Sequence, residues 1–339
     1  MKKVKIENAL GMVLAHDITR ILPGKFKGVG FKKGHVVRDV DLPELRKLGK
    51  RHLYVLALSA KQLHEDDAAQ RIAQAICGDN LGKTDPVEGK INIVSQVDGL
   101  LKIDTQRLLR INKMNDIIVS TLKTNYACHK GQTVAATRII PLIISASKIE
   151  RLEQVATRDR PVIQMKPFRP LNVGVVVTGT EVYEGLIQDG FDEQVKGILD
   201  QYGAKVVDKI VVPDDAAAIA SALLTLCEKR CDLLITTGGL SVDPDDVTQK
   251  GVKQAGARVI AYGSPVLPGA MFLYARLHNT PILGLPACVY YHGVTIFNLV
   301  LPRVLAGDDL TKDDIAAMGH GGLCLNCDTC QFPVCPFGK

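Results

Sequence analysis

The chain has 339 residues, 46% of them hydrophobic and 23% charged, with a net charge of +6, no tryptophan and nine cysteines. That length predicts more than one domain and a core large enough to fold without disulfides. No apolar run reaches the ~18 residues of a membrane span, no apolar stretch follows the basic start Met1 to Lys5, and a cytoplasmic protein without a signal peptide is expected.

Charge is unevenly spread. Residues 1–170 hold 30 Lys and Arg against 17 Asp and Glu, whereas residues 171–339 hold 12 against 19. A basic first half suits an anionic ligand or an acidic surface, or is a set of solvated lysines. Nucleic acid is not expected: aromatic residues are 5% of the chain, and no helix-turn-helix, RRM or finger motif is present.

In chain order, residues 1–60 predict a small β-rich unit around one helix, Asp41 to Gly49, with Asp41 as N-cap, Pro43 in the first turn and Gly49 at the C-cap. Residues 61–165 read as an α+β middle region. His64-Glu65-Asp66-Asp67 opens a helix to about Ile76 and either complements its dipole or holds a metal. Strands are expected at Ile91–Val97, Ile117–Leu122 and Val134–Ile144, with helices at Asp104–Ile111 (Leu108, Leu109 and Ile111 inward) and Lys148–Ala156. Pro161, Pro167 and Pro170 mark a boundary.

From Leu171 the pattern becomes strand and helix in alternation, which predicts an α/β domain over 171–306: a parallel sheet with helices on both faces. Strands are expected at Val173–Thr178, Lys205–Val212, Asp232–Thr237, Arg258–Tyr262 and Pro281–Leu285. Helices are expected at Asp192–Tyr202, Ala216–Lys229, Pro244–Ala255 and Tyr290–Leu305. Ligands of such sheets bind beyond the carboxyl ends of the strands. Here those ends carry Thr178-Gly179-Thr180-Glu181, Thr237-Gly238-Gly239-Leu240-Ser241, Pro268-Gly269 and Gly284-Leu285-Pro286. Paired glycines let main-chain amides approach a phosphate, and Thr237 and Ser241 add hydroxyls. Asp243, Asp245 and Asp246 suit Mg²⁺ between carboxylate and phosphate, or a helix cap. No Rossmann fingerprint or P-loop is present.

The Thr237-Gly238-Gly239…Asp246 loop resembles the motif of the molybdopterin-binding domain in molybdenum-cofactor biosynthesis proteins. Gly179-Thr180-Glu181-Val182, Val212-Pro213-Asp214-Asp215, Pro265 to Gly269 and Gly284-Leu285-Pro286 resemble further segments of that domain, in order. The opening Ala9 to Ile18 is similar to that of molybdopterin molybdenumtransferases. The resemblance implies that Thr178, Gly179, Thr237, Gly238, Gly239, Ser241, Pro268, Gly269, Gly284 and Pro286 bind molybdopterin or its adenylylated form. It also implies that Glu181 and Asp246 are catalytic carboxylates about Mg²⁺, for molybdate insertion with AMP release. Ala287-Cys288-Val289 replaces the family's Gly-Asn-Pro, Asp243 replaces a glycine, and the transferases' C-terminal β-domain is not found after Leu305. Binding is therefore expected more firmly than insertion, with a non-catalytic pterin carrier or sensor bearing a redox-responsive metal tail as the alternative. A nucleotide pyrophosphatase is a third reading, since competence-damage proteins carry a related domain. The partners expected are the pterin, molybdate, a molybdoenzyme or redox protein, and a second copy of the chain.

Residues 320–339 form a cysteine-rich tail. Cys324, Cys327, Cys330 and Cys335 follow a Cys-x2-Cys-x2-Cys-x4-Cys-Pro spacing. Structural zinc sites separate two Cys-x2-Cys pairs by a longer loop. The compact run before proline resembles ferredoxin ligation, so a [4Fe–4S] cluster is expected, with Zn²⁺ as the alternative and His320 in reserve.

Overall fold

A computed structural model describes residues 1–22, 26–56, 59, 61–241, 243 and 247–339. The chain divides into two compact units, Met1–Met165 and Lys166–Lys339. Among the described residues no helix is long and apolar enough to cross a membrane.

The first unit is built from small antiparallel sheets. Lys2–Lys5 pairs with His52–Val55, and Ile18–Leu22 forms a hairpin with Phe26–Phe31. Val4 and Leu53 of the first pair share one core with Ile6, Leu14 and Leu45. The helix Leu42–Lys47 carries Pro43 in its first turn. Asp41 does not cap it: its carboxylate instead accepts the Arg38 amide at 2.9 Å and faces His35 Nε2 at 2.6 Å. A second core gathers around a four-stranded sheet in the order Leu81–Lys83, Ile91–Ser95, Thr133–Ile139 and Ile117–Thr121. The helices Glu65–Ile76 and Ala146–Ala156 pack their apolar stripes against it. Thr105–Asn112 buries Ile111, but Leu109 faces solvent, because a single narrow stripe of this short helix meets the core.

The second unit holds β1 (Asn172–Thr178), β2 (Lys205–Val212), β3 (Leu233–Thr237), β4 (Arg258–Tyr262), β5 (Leu273–Leu277) and β6 (Thr280–Leu285). They form one sheet in the order β2-β1-β3-β6-β5-β4. β2, β1, β3 and β6 run parallel, while β5 is antiparallel to both β6 and β4. The expected α/β sheet is therefore present and mostly parallel, with β5 as its one antiparallel strand among the described residues. The extra strand β5 joins β6 through a two-residue turn in which His278 adopts φ +53°.

Both faces of this sheet are covered. Val173, Val175 and Ile235 point to one core with Phe297, Val300 and Leu301. Val176, Leu234 and Ile282 point to the other with Leu223, Leu226 and Val252. This alternation explains the unbroken apolar runs, and each fully buried side chain contributes roughly 1.5–3 kcal/mol. The covering helices include α1 (Ala216–Glu228), α2 (Thr248–Gln254) and α3 (Ile296–Leu305). α3 begins at Ile296 and not near Tyr290, because the Thr295 and Asn298 side chains form a reciprocal cap there.

Candidate functional site

The strand register places the site. Thr178 lies opposite Val212, Val177 opposite Thr237, and Thr237 opposite Leu285. The carboxyl ends of four parallel strands therefore finish level, and the loops after them leave one edge of the sheet. β1 is flanked by β2 on one side and β3 on the other, so the chain reverses its direction of travel across the sheet between β1 and β3. Such a reversal opens a crevice that no crossover helix fills.

Thr178-Gly179 and Thr237-Gly238-Gly239 meet at that crevice. Thr178 Oγ1 donates to the Thr237 carbonyl at 3.1 Å and lies 3.3 Å from Thr248 Oγ1. Thr248 in turn donates its hydroxyl to the Gly238 carbonyl at 3.0 Å. Gly238 and Gly239 take φ of +89° and +59°. A Cβ on Gly238 would collide with the Thr178 carbonyl, and one on Gly239 with Thr248 Oγ1. Glycine is needed twice over, for the left-handed backbone and for the close approach.

Beside this corner Asp214 Oδ2 accepts the Thr180 amide at 2.9 Å and the Thr180 hydroxyl at 3.2 Å. Asp215 accepts the Ala218 amide at 2.7 Å and caps α1. Glu181 is exposed, its carboxylate folded back to 3.1 Å from where a Gly179 Cβ would stand. Asp243 is exposed as well, and Asp245 and Asp246 lie outside the described residues.

Thr236 and Thr237 hydroxyls are fully buried without a hydrogen bond of normal geometry. The Tyr290 phenol lies near enough to Thr237 to be steadied by it, yet burial pushes Tyr290 up to about 12. The ring of Tyr290 stands 3.5 Å from the Cβ position of Gly190. Next along, Lys209 Nζ donates to Asp189 at 2.9 Å and to Asp192 at 2.5 Å. Burial opposes the Lys209 charge, but these bonds outweigh it and hold its pKa above the usual lysine value. Asp189, Lys209, Asp214 and Tyr290 were not among the expected site residues. Only Asp214 carried a visible signal, in Val212-Pro213-Asp214-Asp215.

The remaining expected residues are less closely drawn in. The Ser241 carbonyl faces the Tyr262 hydroxyl at 3.4 Å. The Pro268 carbonyl accepts the Ile296 amide at 3.2 Å, and a Cβ on Gly269 would overlap Ile296. Gly284 is buried, its Cβ position 2.9 Å from both Leu240 and Leu273, so that glycine serves packing. Pro286 is half-buried and leads the turn Ala287–Tyr290.

In the first unit His64, Glu65 and Asp66 bring ligand-type atoms within 4.8 Å of one another. The cluster already has a cation: Lys33 Nζ lies 2.7 Å from His64 Nδ1 and 2.5 Å from Asp66 Oδ2. His64 also accepts the Asp66 amide at 3.2 Å, as an N-cap, and donates Nε2–H to the Ala15 carbonyl. Burial and the Lys33 charge both depress its pKa. The capping reading fits these contacts, and the metal reading does not.

Residues 174–306 match a family model described as "Probable molybdopterin binding domain", and residues 3–57 one described as "Domain of unknown function (DUF8806)". Over 150 residues the chain is 31% identical to the molybdopterin molybdenumtransferase of Haemophilus influenzae, a match covering 42% of this chain and 37% of that protein. It is 32% identical over 121 residues to a CinA-like protein of Amoebophilus asiaticus, covering 36% of this chain and 27% of that one. The chain thus spans 37% of the first of these curated relatives and 27% of the second. Among solved structures, the molybdopterin biosynthesis enzyme MoaB of Thermus thermophilus aligns with a TM-score of 0.34 and 20% identity, over 41% of this chain and 98% of that one.

Proposed function

We propose that the second unit binds molybdopterin, or its adenylylated form, at the crevice between β1 and β3, and serves molybdenum-cofactor biosynthesis. The observation that carries this reading is the cradle itself. Main-chain glycines at 238 and 239 line a switch point inside the stretch that matches the molybdopterin-binding family. Amides there take phosphate oxygens without Cβ obstruction. The buried Thr237 hydroxyl lies at the same strand end, beside the Tyr290 phenol.

Each residue then has a role of its own. Thr178 and Thr248 fix the shape of the glycine turn by the hydrogen bonds given above. Asp214, gripped by Thr180, holds the first loop against the second. Glu181 supplies an exposed carboxylate at the crevice, and together with Asp243 it would hold Mg²⁺, which supplies charge neutralisation for a pyrophosphate. Tyr290, neutral at every physiological pH, offers an O–H to an anion without a charge change. Molybdate insertion with AMP release is the catalytic form of this function, and pterin carriage without turnover is its second form, favoured by Ala287-Cys288-Val289 in place of the family's Gly-Asn-Pro.

The test is direct binding of adenylylated molybdopterin to the full chain, with AMP release followed in the presence of Mg²⁺ and molybdate. Saturable binding that Gly239→Asp abolishes supports the site. Binding left intact by that change refutes it. AMP release above the protein-free blank separates the catalytic form from the carrier.

A further inference from the structure

The cysteine-rich tail is a folded part of the second unit. The Leu267 amide donates to the Gly322 carbonyl at 2.8 Å, and the Cys324 amide donates to the Leu267 carbonyl at 2.8 Å. The Gly338 amide donates to the Gly321 carbonyl at 2.9 Å and closes the tail into a loop. Phe337 is 2% exposed in the core, with Phe332 edge-on to it at 6.1 Å.

That loop holds Cys324, Cys327, Cys330 and Cys335 around one cavity of about 200 Å³, whose far wall is Tyr291 to Val294. All four cysteines are free thiols. Cys324 Sγ accepts the Asn326 amide at 3.5 Å, and the Gly293 main chain closes over Cys330, with its Cβ position 3.8 Å from Cys330 Sγ. Two measures then decide what the cavity fits. A single zinc ion at ~2.3 Å from each sulfur draws its thiolates to within about 3.8 Å of one another. Among the described residues no three of these sulfurs lie within 4.8 Å of one another. A guest the size of one water needs only ~10–15 Å³, far less than this cavity. A cuboidal cluster instead takes each thiolate at a separate iron, spreading them around a larger guest.

We propose that the four tail thiolates bind a [4Fe–4S] cluster, assembled from two ferrous ions, two ferric ions and four inorganic sulfides as the thiol protons pass to solvent. This stands independently of the pterin reading.

The test uses the full chain purified anaerobically, and the same chain stripped and reconstituted with equal amounts of ferrous and ferric iron and with sulfide, under anaerobic conditions. The expected result is ~4 iron and ~4 acid-labile sulfide per chain, with broad visible absorption that bleaches on reduction by dithionite. Cys330→Ser and Cys335→Ala should each lose more than half of the iron. Cys227→Ser, on α1 and away from the cavity, should keep it all. Far-ultraviolet circular dichroism and the thermal transition verify that each variant is folded. One zinc per chain without sulfide would overturn the proposal. So would a folded wild-type chain that takes up no iron, or iron retained in full by a folded Cys324→Ser, Cys330→Ser double variant.

Discussion

Gly238→Ala should cost far more than its single methyl suggests, and Gly256→Ala supplies the control. Both glycines have nearly the same backbone, φ +89° and +85°. A left-handed conformation costs an L-residue roughly 1–2 kcal/mol at either position. At Gly256, just past α2, a Cβ would meet nothing within 4 Å, so that strain is the whole effect. At Gly238 the added carbon would strike the Thr178 carbonyl and come 2.8 Å from Thr178 Oγ1, both parts of a packed strand end. Overpacking there adds about 1–3 kcal/mol, giving a total of roughly 2–5 kcal/mol. For a unit of this size 1 kcal/mol moves Tm by ~2–4 °C. Differential scanning calorimetry should therefore place Gly238→Ala several degrees below Gly256→Ala. Titration with the pterin should show binding lost in the first and kept in the second. Equal shifts in Tm, or binding lost equally in both, would refute the argument that close approach, and not merely backbone freedom, demands glycine at 238.

Three further outcomes follow from other parts of the molecule. Arg107 is buried and donates to the Ala156 and Pro161 carbonyls at 2.9 and 3.1 Å and to Asp104 at 3.0 Å; Arg107→Met should destabilise the first unit by about 3–5 kcal/mol, measured by urea unfolding, since buried carbonyls and a carboxylate lose their partner. Burial pushes the Asp314 carboxyl up, but bonds from Thr311 and Arg303 outweigh it and bring it down to about 2. The folded carboxylate is thus favoured, and its contribution is complete above the ordinary value of 3.8 and is lost as pH falls toward about 2. After allowance for partial exposure that contribution is about 1–2 kcal/mol, and Asp314→Asn should flatten the stability curve in that window alone. Burial pushes the Cys128 thiol up to about 12 and Cys77 up to about 11; in the metal-free chain, mass spectrometry after brief alkylation near neutral pH should find the exposed Cys327 and Cys330 modified well before either.

Much of the second unit could be read from its sequence because burial on both faces leaves a plain mark: continuous apolar runs such as Val173 to Val177 and Leu233 to Ile235, which lead into the glycine turns at Gly179 and Gly238. β5 escaped because its hairpin turn, His278-Asn279, lacks the glycine that usually announces one, and Phe272 to Leu277 then reads as an extension of a loop. The start of α3 was misplaced because Tyr290, Tyr291 and Val294 are apolar enough to continue a helix, while the stop is set by a side-chain cap. In the candidate site the glycines were legible, since their spacing is local. The grip of Asp214 on Thr180 was not, because it depends on Thr178 and Val212 ending opposite each other on neighbouring strands. Lys209 and its two aspartates likewise meet only through the folded chain.

Leu267 gives this unit a mechanical linkage. Its amide and carbonyl are both spoken for by the tail, and the carbonyl of the very next residue, Pro268, holds the first amide of α3. Force applied at Cys324 therefore has no slack to take up before it reaches Pro268 and Gly269. A chain whose sulfurs are drawn inward or let go should show altered amide hydrogen exchange at Gly269 and at the start of α3, remote from any sulfur.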